Sequence, residues 1–394
     1  MTVNATEEAL LAQISADAIT ELTVALVEAP SENPGGTEAA AVGILEKACR
    51  AAGFSVTIHE VAPGRPNLVA TLPGGDGPGL MFLGHSDVVP AGPGWTADPY
   101  RARLVDGRLI GRGATDMKGG LAAVIAAMSA LSTLPDRLSG PVRLVCTVDE
   151  EEHGAGVRDF VSRAPDADFL GCVVAEPTNL EIVRGCRGAS YFEIDIAGRA
   201  AHSGRPADGR SAINAAASII DIIRTDHNRL QSTLDDLLGA GTWNVGTIQG
   251  GQGISVVAPT CSLGVDRRLM PFEQAEEIAE RLRQAIRAGG IDSDGITVDV
   301  RVTMEMPGFA TPADHRLVAD AVAAATDAGI RTSVGGWTAA CDGGFVSRDL
   351  AIPTIVFGPG NINTQAHQPD ESVVIDDLLA AARSYALLAL RALT

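Results

Sequence analysis

Side chains that bind divalent metal ions follow several apolar segments of this sequence. His85 ends the apolar run 79–84, Asp116 precedes an alanine-rich apolar segment, and Glu151 and Glu176 follow two further apolar runs. Such short runs predict buried parallel strands, whose carboxyl ends meet at one edge of a sheet. His367 lies in a polar loop before the last helical segment. We therefore expect these five side chains to lie close together.

Two imidazoles and three carboxylates form a ligand set that suits zinc, cobalt or manganese. Five ligands suit two divalent ions better than one, with a carboxylate shared between them. Each residue alone also has a simpler explanation: a histidine can be structural, an aspartate can cap a helix, and an acidic run can be a solvated turn. Their repetition at strand ends favours a metal centre, for which we expect Zn²⁺, with Co²⁺ or Mn²⁺ as alternatives.

Acidic residues beside these ligands suit supporting roles. Adjacent residues of an extended chain point to opposite sides, so Glu150 and Glu151 cannot easily bind one ion together. One could bind metal while the other removes a proton from an activated water, which is the chemistry of hydrolysis. Glu152 leaves the order of these roles open at this point. Asp87 lies two residues after His85 and could accept a hydrogen bond from its imidazole.

The surrounding sequence predicts two kinds of domain. Helices and strands alternate in the first part of the chain, which predicts an α/β fold with a three-layer catalytic domain and a mainly parallel sheet. After Arg184 the predicted order becomes β-α-β-β-α-β, the split arrangement of a ferredoxin-like α+β domain inserted into the first. The predicted boundaries are 1–187 for the first part of the catalytic domain, 188–304 for the inserted domain and 305–394 for the second part.

The composition argues against nucleic-acid and membrane partners. The 30 basic and 49 acidic residues give a net charge of −19, which repels phosphate backbones and anionic lipid surfaces. The sequence has neither the pattern of a secretory leader nor an uncharged apolar run of about 18 residues. Six cysteines without paired spacing suggest reduced thiols. We expect a soluble, cytoplasmic protein.

Five motifs, in order, resemble the zinc-dependent M20 family, which includes acetylornithine deacetylase, succinyl-diaminopimelate desuccinylase, aminoacylase-1 and carboxypeptidase G. The motifs are residues 85–90, 113–120, 149–151, 176–178 and 367–369. The resemblance implies that Asp116 bridges two metal ions, that Glu150 is the general base and that Asp87 orients a ligand. It also implies the full set of metal ligands, which are His85, Asp116, Glu151, Glu176 and His367.

The inserted segment resembles the lid and dimerisation domain of that family. Residues 198–206 resemble a signature whose histidine, here His202, reaches the active site of the neighbouring subunit and stabilises the oxyanion. Residues 266–271 resemble a segment whose arginine, here Arg268, binds a substrate carboxylate. Asp342, in a loop similar to a pocket wall, could contact substrate or simply stabilise a turn. The resemblance implies a homodimer formed through the inserted domain.

The expected activity is hydrolysis of the amide bond of an N-acyl amino acid, in the manner of acetylornithine deacetylase or succinyl-diaminopimelate desuccinylase. Alternatives are a dipeptidase or glutamate-type carboxypeptidase of the same family, and an amidohydrolase of N-carbamoyl or ureido acids. A member of another class, a metal-binding interaction protein without activity, is disfavoured because every expected functional position is filled. The sequence does not name the acyl group or the amino acid.

Overall fold

A computed structural model describes residues 3–163 and 168–394. Contacts divide the chain into two compact units. Unit 1 comprises Met1–Gly185, Ala310–Gly336 and Asp342–Thr394, and unit 2 comprises Cys186–Phe309 and Trp337–Cys341.

A large sheet forms the centre of unit 1, with its strands in the order β1-β2-β6-β3-β7-β15-β8-β13 and with β14 paired to β8. Strands β6, β3, β7 and β15 are mutually parallel, whereas β1, β2 and β8 pair in antiparallel fashion. This confirms the predicted α/β class with a mainly parallel central sheet. The strands are β1 (Ser55–Ala62), β2 (Arg65–Leu72), β3 (Gly79–His85), β6 (Val142–Thr147), β7 (Phe169–Val174), β8 (Ile182–Cys186), β13 (Phe309–Ala310), β14 (Val334–Trp337) and β15 (Thr354–Val356).

Helices and a small second sheet complete unit 1. The helix α4 is apolar around its whole circumference because it packs against both α2 and α10 within the core. The small sheet has the order β16-β5-β4. Its strands are β4 (Arg103–Val105), β5 (Arg108–Ile110) and β16 (Ser372–Val374), and the helices are α1 (Ala5–Leu11), α2 (Ala16–Val27), α3 (Ala39–Ala51), α4 (Gly119–Leu131), α5 (Ala155–Ser162), α8 (Arg316–Asp327), α9 (Gly343–Asp349) and α10 (Ile375–Ala392).

Unit 2 has the predicted β-α-β-β-α-β order and an antiparallel sheet, β10-β11-β9-β12. One face of β9 buries Phe192, Ile194 and Ile196 in a core that the two helices share, while Tyr191 and Glu193 on the other face are exposed. The alternation follows from the two-residue period of a strand. The elements are β9 (Gly188–Ala197), α6 (Ala212–Leu230), β10 (Thr242–Gly250), β11 (Thr260–Leu269), α7 (Ala275–Ala288) and β12 (Thr297–Met306).

Among the described residues, no helix taken singly has the length and apolar composition that crossing a membrane requires. The bent pair α1 and α2, at 42° to each other, meets those criteria only when its two helices are taken together.

Candidate metal centre

Three of the predicted ligands lie at neighbouring strand ends of unit 1. His85 is the last residue of β3, Glu151 follows β6 and Glu176 follows β7. Strand β3 lies between β6 and β7 and is parallel to both, so the carboxyl ends of all three strands meet at one edge. Asp116 lies in a single π-helical turn, Ala114–Lys118, directly before α4, and His367 lies in the loop before β16.

The first ligand group consists of His85, Asp116 and Glu176, which are all buried. Nε2 of His85 lies 3.3 Å from Oδ1 of Asp116 and 3.3 Å from Oε1 of Glu176. The other ring nitrogen, Nδ1, donates a hydrogen bond to the backbone oxygen of Asp87 at 2.9 Å. A neutral imidazole with its proton on Nδ1 presents the lone pair of Nε2, which is the state that binds a metal.

The second group consists of Asp116, Glu151 and His367. Nε2 of His367 lies 3.5 Å from Oδ2 of Asp116 and 3.2 Å from Oε2 of Glu151. In each group, one ligand atom per residue lies within 4.8 Å of the others. Because Oδ1 of Asp116 faces the first group and Oδ2 faces the second, its carboxylate has the geometry of a bridge between two ions.

Glu371, to which the sequence analysis gave no role, holds the turn that contains Asp116. Its Oε1 accepts hydrogen bonds from the backbone N–H of Thr115 at 2.8 Å and of Asp116 at 3.0 Å. Its Oε2 accepts from the backbone N–H of Gly113 at 3.1 Å and from the guanidinium of Arg112 at 2.7 Å. All these atoms are buried, so one carboxylate satisfies three backbone donors and a buried cation. The nearest signal in the sequence was the acidic pair at 370–371.

The carboxylate of Asp87 holds the backbone of two glutamates. It accepts hydrogen bonds from the N–H of Glu150 at 3.3 Å and of Glu151 at 3.2 Å, and from the side-chain amide of Asn33 at 2.9 Å. Its Oδ1 lies 3.5 Å from Nδ1 of His85. The imidazole therefore has the backbone carbonyl of Asp87, rather than the expected carboxylate, as its nearest acceptor on that side.

Glu150 and Glu151 lie in a turn, whereas the sequence analysis expected extended chain. The turn follows Asp149, whose φ of 69° redirects the backbone two residues after β6. The two side chains still have different surroundings. Oε2 of Glu151 lies 3.2 Å from Nε2 of His367. Glu150 is buried near Glu176 and other carboxylates, and both its burial and their negative charges raise its pKa well above its usual range.

The donor set fits two divalent cations. Oε1 of Glu151 is buried and has no hydrogen-bond partner among the described residues, which leaves it available to an ion. Burial raises the pKa of Glu176 to about 8, and hydrogen bonds with Asp116 and Glu151 raise the pKa of His367 to about 10. Without metal, the centre thus retains protons on groups that bind metal only when deprotonated. Two bound cations would supply the positive charge that these protons provide near the three carboxylates of the centre.

Asp342 belongs to the same unit and is buried at the start of α9. Its Oδ2 accepts a hydrogen bond of 2.7 Å from the hydroxyl of Thr147, the last residue of β6. Its Oδ1 is buried and has no partner among the described residues. Burial raises the pKa of Asp342 to about 7, and its negative charge also raises the pKa of Glu150. The expected contact with substrate stays a prediction.

His202 and Arg268 are the predicted site residues that lie in unit 2. His202 is exposed, and its Nδ1 accepts a hydrogen bond from the backbone N–H of Gly204 at 3.0 Å. Arg268 is half-buried on β11, and its Nε donates to Oδ1 of Asp266 at 3.1 Å. Thus the five predicted ligands, Asp87, Glu150 and Asp342 lie within unit 1. The two residues predicted to contact the oxyanion and the carboxylate lie within unit 2.

Comparison with known proteins identifies the family. The model of peptidase family M20/M25/M40 matches residues 81–391. The acetylornithine deacetylase of Proteus mirabilis is 31% identical over 341 residues, with 85% of each chain covered. Among solved structures, the aminopeptidase PepT of Bacillus cereus has a TM-score of 0.78 at 23% identity, over 96% of this chain and 99% of that chain.

A second solved structure, described as a dinuclear metal-binding peptidase of the M20 family from Bacillus subtilis, has a TM-score of 0.72 at 18% identity. The match covers 96% of this chain and 98% of that chain. At such identities the two structures establish the common fold, whereas the family model and the curated relative establish descent. The resemblance seen in the five motifs is confirmed: the chain belongs to the M20 peptidase family.

Proposed function

We propose that this chain is a two-metal hydrolase that cleaves the amide bond of an N-acyl amino acid. One observation supports the proposal above all others. Two groups of metal-type ligands share Asp116, each of whose carboxylate oxygens faces a different group. Such a paired site suits hydrolysis, in which both the attacking and the leaving atoms need stabilisation.

The first ion would be held by His85, Asp116 and Glu176, and the second by Asp116, Glu151 and His367. When bound, such ions polarise a carbonyl oxygen and make water acidic enough to be deprotonated near neutral pH. Imidazole and carboxylate donors suit Zn²⁺, and they also accept Co²⁺ or Mn²⁺.

Glu150 would act as the general base and acid. It takes a proton from the attacking water and later donates that proton to the nitrogen of the leaving amine, so that one carboxylate serves both steps. Burial and the neighbouring carboxylates raise the pKa of Glu150, which favours the protonated carboxyl group that must donate to the leaving nitrogen. Asp87 positions Glu150 and Glu151 together, since its carboxylate accepts both backbone N–H groups.

His202 and Arg268 would contact substrate. An imidazole N–H stabilises the negative charge that develops on the carbonyl oxygen, and we assign this role to His202 of the neighbouring subunit. The guanidinium of Arg268 would bind the carboxylate of the amino acid, because its two terminal nitrogens have no partner among the described residues. Asp342 is kept as a residue that could contact the substrate.

The substrate assignment draws on the curated relatives. The Proteus mirabilis relative is an acetylornithine deacetylase. An N-acyl amino acid is therefore the first candidate. A short peptide is the second, because the matching family is described as one of peptidases. We also propose a homodimer through residues 188–304 and a cytoplasmic location, which six free, buried cysteines support.

Hydrolysis measured after metal removal and replacement tests the proposal. The panel contains N-acetyl-ornithine, N-succinyl-diaminopimelate, further N-acetyl and N-carbamoyl amino acids and several dipeptides, each assayed with Zn²⁺, Co²⁺ or Mn²⁺. We expect hydrolysis that a chelator abolishes and that added metal restores. A preference of about a hundredfold for one substrate equals about 2.7 kcal/mol in the transition state and identifies the substrate. Activity that survives complete metal removal would contradict the proposal.

A further inference from the structure

Two arginines share the open face of the unit 2 sheet. Arg268 on β11 lies directly opposite Ala189 on β9. Arg187 is the residue between β8 and β9, two positions before Ala189. Opposite residues of an antiparallel pair lie on the same face, as do residues two apart along a strand. The side chains of Arg187 and Arg268 therefore extend from one face as diagonal neighbours, whereas Arg267 extends into the core and is almost fully buried.

The electrostatics agree with this placement. Burial lowers the pKa of Arg187, and the positive charge of Arg268 lowers it further, so the two guanidinium groups lie within each other's field. Asp266 is the nearby carboxylate, and it already accepts a hydrogen bond from Nε of Arg268. Two positive groups therefore share one negative group, in a chain whose net charge is −19.

Several donors of this pair have no acceptor among the described residues. Nε of Arg187 is buried without a partner, and its Nη1 donates to the backbone oxygen of Ala240. The two terminal nitrogens of Arg268 have no hydrogen bond within the described chain. A buried donor without an acceptor is destabilising, and adjacent like charges add to this cost. A bound anion would remove both costs.

We infer that Arg187 and Arg268 bind two carboxylate groups of one substrate, so that the enzyme prefers dicarboxylic substrates. This inference rests on the proposed function, in which Arg268 binds one substrate carboxylate. Each planar guanidinium matches a carboxylate of its own. Diagonal neighbours on a sheet have Cβ atoms no more than about 7–8 Å apart, so two arginine side chains at such positions can reach two carboxylates of one small molecule. The second carboxylate belongs either to an acidic amino acid or to a dicarboxylic acyl group.

Pairs of substrates that differ by one charge test the inference. N-acetyl-glutamate is compared with N-acetyl-glutamine, and N-succinyl-alanine with N-succinamoyl-alanine, so that each pair tests one of the two positions. We expect kcat/KM to favour the charged member of one pair by about 10–100-fold, the effect of a charge-assisted hydrogen bond. Arg187→Gln should reduce that ratio to near one, mainly through KM, and Arg187→Lys should restore part of it. Arg224→Gln is the matched control, since Arg224 is exposed and pairs with Asp221 on α6.

Two results would overturn the inference: equal kcat/KM within both pairs, or a charge preference that Arg187→Gln leaves intact. Either result would leave the proposed function standing if hydrolysis of the neutral substrates still requires metal. A binding measurement on the metal-free protein tests the inference about Arg187 and Arg268 even if the proposed function is wrong. Succinate should bind more tightly than butyrate, and Arg187→Gln should abolish the difference, even if no substrate in the panel is hydrolysed.

Discussion

The carboxylate of Glu371 accepts a hydrogen bond from the backbone N–H of Asp116, with 3.0 Å between Oε1 and the amide nitrogen. Glu371 lies on the loop that also contains His367, and both Asp116 and His367 belong to the second ligand group. One buried side chain thus connects the two segments that carry Asp116 and His367, two candidate ligands of the second group. Residues of this kind fix the direction of a ligand without contacting the ion.

Substitution of Glu371 should weaken metal binding. Glu371→Gln keeps one oxygen acceptor but replaces the other with an amide that cannot accept from Arg112 or from the N–H of Gly113. We expect the dissociation constant for Zn²⁺ to rise by about 10–100-fold, measured by competition with a chromophoric chelator. Glu276→Gln, an exposed residue paired with Arg283, removes the same charge and serves as the control. Equal affinities for Glu371→Gln and this control would contradict the role of Glu371.

The cluster of candidate ligands could be predicted from sequence because three of them adjoin short apolar runs bounded by turn residues, and Asp116 precedes the long apolar helix α4. His85 ends one buried strand and Glu151 and Glu176 follow two others, and parallel strands bring their carboxyl ends together whatever the detailed packing. Glu371 and Asn33 could not be found this way. They act through hydrogen bonds between segments far apart in the chain, such as the 255-residue separation of Glu371 and Asp116. No local pattern encodes such a contact.

A different reason, short length, explains the helices and strands that the sequence analysis missed. Strands β4, β5 and β16 have three residues each, and α1 and α9 have seven. Segments of that length are too short for a period of 2 or 3.6 residues to stand out. The turn at Glu150 was also missed, because it depends on the positive φ of Asp149, which a non-glycine residue adopts only in a favourable context.

Glu150 and Glu151 should differ when each is replaced. Glu150→Gln removes the proposed base, so we expect kcat to fall by about 10²–10⁴-fold while metal content stays at the wild-type level. Glu151→Gln removes a ligand of the second group, so we expect it to lose metal as well as activity. Metal content by plasma emission spectroscopy, measured beside kcat, distinguishes the two variants. Loss of metal from Glu150→Gln with retention by Glu151→Gln would mean that the two roles are reversed.

Metal binding should release protons and strengthen as pH rises. In the metal-free chain, hydrogen bonds with Asp116 and Glu151 raise the pKa of His367 to about 10, and burial raises that of Glu176 to about 8. Below these values both groups hold protons that a ligand must lose. Between pH 6 and 8 the association constant should rise by up to about tenfold per pH unit for each proton released. Calorimetry in buffers of different ionisation enthalpy counts the protons, and a pH-independent affinity would contradict the prediction.

Asp342 should give the metal-free protein a stability that falls as pH rises. Burial raises its pKa to about 7 from a usual value of 3.8. Between those values the folded chain holds a proton that the unfolded chain has lost, so the free energy of unfolding decreases with increasing pH. Each unit of the difference in pKa corresponds to about 1.4 kcal/mol.

Asp342→Asn should remove this contribution, since the amide oxygen can still accept the hydrogen bond from Thr147. We expect its Tm to exceed that of the wild type at pH 8 but not at pH 4, in thermal unfolding after chelator treatment. Asp221→Asn, an exposed substitution on α6, is the control. Other buried carboxylates titrate in both proteins, so only the difference between their profiles reports on Asp342. Parallel profiles would show that Asp342 keeps an ordinary pKa.

Mixing of inactive variants tests whether His202 acts on the neighbouring subunit. Glu150→Gln lacks the proposed base and His202→Ala lacks the proposed oxyanion donor, but a heterodimer of the two has one site with both residues if His202 acts in trans. Random exchange in a twofold dimer makes half the molecules heterodimers with one complete site each, so we expect recovery of about a quarter of wild-type activity. A mixture of Glu150→Gln with Glu151→Gln is the matched control, because both residues lie in unit 1 and no exchange between subunits can restore a site. If His202 acted within its own subunit, both mixtures would remain inactive, and the proposed dimer would have no catalytic reason to form.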